Sequence, residues 1–192
     1  YDLPAFSFAI ATMNPVELGQ GTFPLSEAAT DRFAIMVNIG YLPPEEEQRL
    51  VNFDFKQVHL NKLMSKERIV HLRGVITREV FLHEKLGKYI RRLVGATRPY
   101  NEETDWLFHS PSDMVEQHVD LGASPRATIC WGRLVKVWAL LVHRRAEVYP
   151  EDVQDLAKYV LSHRIWLGPH ATSHGITSEQ VIEDIVAKVP IP

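Results

Sequence analysis

Three short polar segments stand apart from their surroundings in this 192-residue chain. Ala11-Thr-Met-Asn14-Pro15 closes the apolar run Phe6 to Thr12, which reads as a strand buried on both faces; ligands of open α/β sheets collect at the carboxyl ends of such strands. Asp31-Arg32-Phe33 lies between a stretch with helical character, Leu25 to Phe33, and a second β-branched run, Ala34 to Gly40. Gly122-Ala-Ser-Pro-Arg126 stands at the mouth of a long apolar segment. Each has a local reading as well: a turn at Asn-Pro, an ion pair at Asp-Arg, an ordinary helix start at Ser-Pro-Arg. Spacing taken alone favours those local readings.

Other polar groupings carry less chemistry. His170 and His174 are four apart, but Gly168 to Gly175 reads as loop, so two rings are not aimed at one metal and no metal ligand is assigned. Gly87-Lys88 is followed by Tyr89 inside an amphipathic pattern and does not form the G-x-x-x-x-G-K-[ST] phosphate loop. Glu183-Asp184 falls on the last helix, where a solvated face explains it. Cys130, in an apolar run, reads as packing, and the four tryptophans as interhelical packing.

The elements that must position these residues divide the chain. Residues 1–40 resemble the last strands of an α/β sheet, joined by a glycine-rich loop from Glu17 to Pro24. Helical periods begin at Pro44, where proline followed by Glu45, Glu46 and Glu47 suits a first turn. Ser65 is placed to cap a helix carrying Ile69, Val70, Leu72, Val75 and Ile76. Leu86, Tyr89, Ile90, Leu93 and Val94 follow helical spacing, as do Val153, Leu156, Ala157, Val160 and Leu161. The segment opened by Ser124 and Pro125 is apolar nearly all round to Val142 and reads as the central buried helix of an all-α unit. Thr177 with Gln180 forms a capping box ahead of Val181, Ile182, Ile185 and Val186. Thr97 to Leu121 is the least periodic stretch and reads as a long connection.

Composition excludes several classes. Hydrophobic residues make up 45% and charged residues 23%, as in an ordinary globular protein. With 21 basic against 24 acidic side chains there is no surplus to neutralise a phosphate backbone, so no nucleic-acid partner is expected. No run is long and apolar enough to span a bilayer. One cysteine allows no intrachain disulfide, which favours a reducing, cytoplasmic setting. The opening Tyr-Asp-Leu-Pro-Ala reads as neither a natural start nor a signal peptide, and the chain is expected to be a piece of a longer polypeptide.

Taken in order, Phe6-Ser-Phe-Ala-Ile-Ala-Thr-Met-Asn-Pro, Gly21-Thr-Phe-Pro-Leu-Ser-Glu-Ala-Ala-Thr-Asp-Arg-Phe33 and Ile39-Gly-Tyr-Leu-Pro-Pro-Glu-Glu-Glu47 resemble the second half of the ATPase core of MoxR-family AAA+ proteins. Gly122-Ala-Ser-Pro-Arg-Ala127, Val148-Tyr-Pro-Glu-Asp-Val153, His163-Arg164 and Val189-Pro-Ile-Pro192 are similar to that family's helical lid. The resemblance implies a fold that is mainly α with a small α/β part: terminal strands of an AAA+ P-loop NTPase core in residues 1–43, then an all-α lid domain in residues 44–192. It implies that Asn14 is sensor 1, orienting the attacking water, that Arg32 is the arginine finger entering a neighbouring site, and that Arg126 is sensor 2, reaching the nucleotide from the lid. Guanidinium groups stay charged and fork onto phosphate oxygens, and an amide donates and accepts at once, so the residue types suit those roles.

The resemblance further implies ATP and Mg2+ as cofactors, with most ligands outside this chain, a homo-oligomeric and hexameric ring, partners containing a von Willebrand factor A domain, and chaperone-like remodelling or maturation of proteins. Within the same fold the alternative is a magnesium-chelatase-like motor; from another class, a non-catalytic regulatory or scaffold module. The pattern departs from the family in lacking a phosphate loop and a strand ending in Asp-Glu, so this chain alone is expected to be inactive as an ATPase.

Overall fold

The computed structural model describes residues 6–13, 25–101 and 109–192; Asn14, the glycine-rich loop after it and Trp106 lie outside them. A single turn, α1 (Glu27–Thr30), precedes α2 (Pro44–Leu50), with Pro44 first and three glutamates in its opening turn. A 3-10 turn at Phe55–Gln57 leads to α3 (Lys66–Glu79), where Ser65 Oγ accepts the Arg68 N–H at 3.2 Å. Next come α4 (Glu84–Gly95), α5 (Asp113–His118) and β1 (Val119–Leu121). The last part holds α6 (Pro125–Leu141), α7 (Pro150–Leu161), β2 (Trp166–Leu167), α8 (Pro169–Ser173) and α9 (Ser178–Lys188).

The core lies where the periodicities point. All five apolar positions of α4 and all five of α7 are buried, and α6 packs against α3, α4 and α7, with α9 closing on α7. The α6 surface is less enclosed than its composition suggests. Ala127, Trp131, Val135 and Ala139, spaced by four, are fully buried, whereas Ile129 is 59% and Leu141 64% exposed. Neighbouring helices cover one stripe, so α6 is central without being surrounded. None of the α3 residues is fully buried, because that helix meets the core along one edge, through Ile76.

Two expectations need local correction. The strand-type runs 6–12 and 34–40 join no sheet among the described residues, since a strand is defined by a partner's ladder and none is present there. Instead the Met36 N–H donates to the Tyr159 carbonyl at 2.9 Å and Asn38 Nδ2 to Glu179 Oε1 at 2.7 Å, so residues 34–38 lie along α7 and α9. The sheet that does form among the described residues is the two-stranded antiparallel β1–β2, and the stretch read as a long connection contains both α5 and the first of its strands.

The capping box at α9 is present as expected: Thr177 Oγ1 accepts the Gln180 N–H at 3.3 Å and Gln180 Oε1 accepts the Thr177 N–H at 3.0 Å. Thr177→Ala is expected to cost about 1 kcal/mol, read as a lower urea midpoint of this chain at unchanged slope. An unchanged midpoint would show that packing alone holds the start of α9.

Candidate functional site

The loop that carries Arg126 is built residue by residue. Gly122 runs against the end of α4 so closely that a Cβ there would meet the Thr97 carbonyl oxygen at 2.4 Å, which leaves room for glycine alone. Ala123 is held at both backbone groups: its N–H donates to Thr97 Oγ1 at 2.8 Å, and its carbonyl accepts from Arg98 Nε at 2.9 Å. Ser124 Oγ caps α6 by accepting the Arg126 N–H at 3.1 Å, and Pro125 takes the first helical position, where a missing N–H costs nothing. Arg126 therefore leaves the first turn of a helix whose start is pinned on both sides.

Opposite that turn stands Asp31, at the end of α1. Its Oδ2 accepts from Ser124 Oγ at 2.8 Å and from Arg126 Nη1 at 3.3 Å, and its Oδ1 accepts from Arg164 Nε at 3.1 Å. Burial opposes ionisation of this carboxyl, but the hydrogen bonds from Ser124, Arg126 and Arg164 and the Arg164 charge outweigh it and hold its pKa below the usual aspartate value. Arg164 is itself only 4% exposed. Its guanidinium also donates to the carbonyls of Asp31, Phe33, Ala34 and Val160, stapling residues 31–34 to the end of α7. His163 Nε2 adds a donor to the Phe33 carbonyl at 3.0 Å; burial, with the Arg164 charge beside it, pushes this imidazole's pKa down.

An open groove of about 800 Å³ lies above these contacts, lined by Asp31, Arg98, Tyr100, Arg126, Arg164 and Trp166 among others. Arg32 follows Asp31 in the chain, is exposed, and makes no side-chain hydrogen bond or ion pair among the described residues. So Asp31 sits between two of the three expected site residues, while Asn14 lies outside the described residues. The likeness to a helical lid marked the segment His163-Arg164 without assigning it a function, and gave no role to Arg98 or Tyr100. A signal for Arg164 was present: an arginine followed directly by Ile165-Trp166-Leu167 and three residues after Leu161 calls for a buried acceptor set.

Several of the other polar groups singled out in the sequence have structural partners. Lys88, in the Gly87-Lys88 pair, lies on α4 and pairs with Glu84 at 2.6 Å. Asp184 accepts from Ser112 Oγ at 2.6 Å and pairs with Lys188 at 3.1 Å. Cys130 Sγ lies 3.4 Å from the Ala34 carbonyl, and burial pushes its thiol pKa up. The stretch read as loop around His170 contains the short helix α8, and His118, His170 and His174 cluster with ring centroids 4.3 to 6.5 Å apart, the His118 and His170 rings stacked and the other pairs tilted. Among the described residues no group of three or more His, Cys, Asp or Glu is arranged to hold a metal ion, and no helix is long and apolar enough to cross a membrane. A second cleft of about 760 Å³, between α7 and α9, holds none of the expected site residues.

A family model described as the AAA lid domain matches residues 112–185, from the residue before α5 into α9, which defines the class of this helical unit. The chain is 31% identical over 194 residues to the chaperone MoxR1 of Mycobacterium tuberculosis, covering 100% of this chain and 48% of that protein. It is 34% identical over 188 residues to the uncharacterized protein YeaC of Bacillus subtilis, covering 96% of this chain and 53% of that one. The crystal structure of a proposed ATPase from Cytophaga hutchinsonii superposes with a TM-score of 0.76 at 37% identity, over 93% of this chain and 52% of that chain. The helical unit carries the AAA lid domain, and the chain is similar over nearly its whole length to a MoxR-type AAA+ protein while spanning about half the length of the relatives it matches.

Proposed function

We propose that the full-length protein is an ATPase that couples ATP hydrolysis to chaperone-like remodelling or maturation of partner proteins, and that this chain completes and senses its nucleotide site. The observation that carries the reading is the placement of Arg126: a loop pinned by Thr97, Arg98 and Asp31 aims an exposed guanidinium from the positive end of a 17-residue helix along a groove holding two more arginines. Such a group suits the outer phosphate of a nucleotide. The 192 residues contain no phosphate loop, and the described residues offer no metal-holding group, so these side chains supply peripheral contacts and not the main cradle.

In this reading Arg126 acts as sensor 2, forking onto phosphate oxygens and tying the lid's position to the phosphate state. Asn14 orients the attacking water, and Arg32, exposed and without a partner among the described residues, enters the site of a neighbouring subunit to stabilise charge on the transferred phosphoryl group. Bound Mg2+ would neutralise the phosphate charge from residues outside this chain. A finger that serves a neighbour requires a closed ring, and a homohexamer is proposed. Residues 1–43 are proposed to belong to the ATPase core and residues 44–192 to the lid; the proposed setting is the cytoplasm and the proposed partners are proteins with a von Willebrand factor A domain.

The test compares this chain with the full-length protein in ATP and magnesium. Phosphate release is expected from the full-length protein and not from the chain alone, whose calorimetric titration should show no micromolar binding. A full-length protein that neither binds nor hydrolyses ATP overturns the motor reading. Steady turnover by the chain alone overturns the assignment of peripheral contacts.

A further inference from the structure

Asp31 offers one carboxylate to three donors, and the three differ in kind. Arg164 is buried and committed to four backbone carbonyls, that of Asp31 among them, besides the Asp31 carboxylate. Ser124 serves at once as the cap of α6 and donates to Asp31 at 2.8 Å. Arg126 makes the longest of the three contacts, 3.3 Å, with a side chain 59% exposed and no other side-chain partner among the described residues. A ligand in the groove can therefore compete for Arg126 and for neither of the other two.

We propose that Asp31 is a positioning residue that occupies Arg126 within the groove, so that a nucleotide phosphate gains Arg126 only by displacing it from the Asp31 carboxylate. The inference rests on the reading of Arg126 as a phosphate contact. Arg164 keeps Asp31 in place whichever partner Arg126 has, because its other bonds fix residues 31–34 independently. The exchange is between two anions of similar chemistry, a carboxylate and a phosphate oxygen, which is what lets one guanidinium serve both. The exposed Arg126 end of the pair keeps the cost of the exchange small, so the hold tunes affinity without blocking binding.

Asp31→Asn tests this in the full-length protein, since the amide oxygen still accepts from Arg164 while the charge facing Arg126 is gone. ATP should bind about two- to five-fold more tightly by calorimetry, and Asp31→Glu should stay close to wild type. In an Arg126→Ala background the Asp31→Asn change should vanish, which a merely structural role for Asp31 would not produce. Equal effects in both backgrounds, or no effect in the wild-type background while Arg126→Ala alone weakens ATP, overturn the inference and leave the reading of Arg126 standing. If Arg126→Ala alone leaves ATP affinity unchanged, that reading falls and takes the inference with it. A second measurement needs no variant: with a bound ATP analogue, Arg126 Nη1 should lie beyond hydrogen-bond reach of Asp31 Oδ2, and a retained pair at 3.3 Å overturns the proposal.

Discussion

Replacing Arg32 with alanine in the full-length protein is expected to lower ATP hydrolysis by about a thousandfold or more while leaving ATP binding close to wild type. The side chain is exposed and partnerless among the described residues, yet its backbone neighbourhood is unusually well held: the carbonyls on either side, of Asp31 and Phe33, both accept from Arg164. A rigid base under a free guanidinium suits a group that acts outside its own subunit. In the proposed finger role, loss of Arg32 would remove transition-state stabilisation and little ground-state binding, so the loss should appear in kcat and not in KM. Mixing Arg32→Ala subunits with subunits defective in the phosphate loop should restore part of the activity, because an intact finger meets an intact loop at some interfaces. Assembled mixed rings with no recovery would place the effect of Arg32 within its own subunit.

Arg164→Ala is expected to destabilise this chain by about 3 kcal/mol, seen in urea unfolding. The substitution leaves the Asp31 carboxylate without its buried partner and strips donors from the carbonyls of Phe33, Ala34 and Val160. Residues 31–38 should come away from α7, so the Met36 amide, bonded to the Tyr159 carbonyl, should lose its hydrogen-exchange protection while Trp131 and its neighbours keep theirs. The same pair sets a pH dependence. The pKa of Asp31 is lower folded than unfolded, so its contribution is complete above the ordinary aspartate value and is lost as pH falls through the lowered folded value. The stability gap between wild type and Arg164→Ala should therefore shrink in acid. A gap below about 1 kcal/mol at neutral pH would mark the contact as an ordinary surface pair.

Much of the helical unit is determined by short-range chemistry and can be read along the chain. The periods of α4 and α7 name all ten of their buried apolar residues, Ser65, Ser124 and Thr177 stand where caps are needed, and Pro44 and Pro125 mark first turns. These features are legible because a helix is made from contacts three and four residues apart, so its pattern and its stop and start signals are written locally. The Gly122-Ala-Ser-Pro-Arg126 motif was equally visible, and each residue type proves to answer a local demand of close approach, backbone pinning, capping or helix start.

What covers a helix, and what a polar group meets, was decided only by tertiary structure. The composition of α6 announces burial but not that a single stripe is enclosed, because apolar content does not count neighbours. The runs at 6–12 and 34–40 have strand composition, yet a strand exists through its partner, and the ladder that forms is the short β1–β2 pair whose three and two residues are too few to show alternation. Asp31 finds Arg126 and Arg164 across 95 and 133 residues of chain. No local pattern encodes which of several arginines a carboxylate will meet, since that choice is made by the packing of α6 and α7 that brings their ends together, and it is this packing that joins Asp31, Ser124, Arg126 and Arg164 in one cluster.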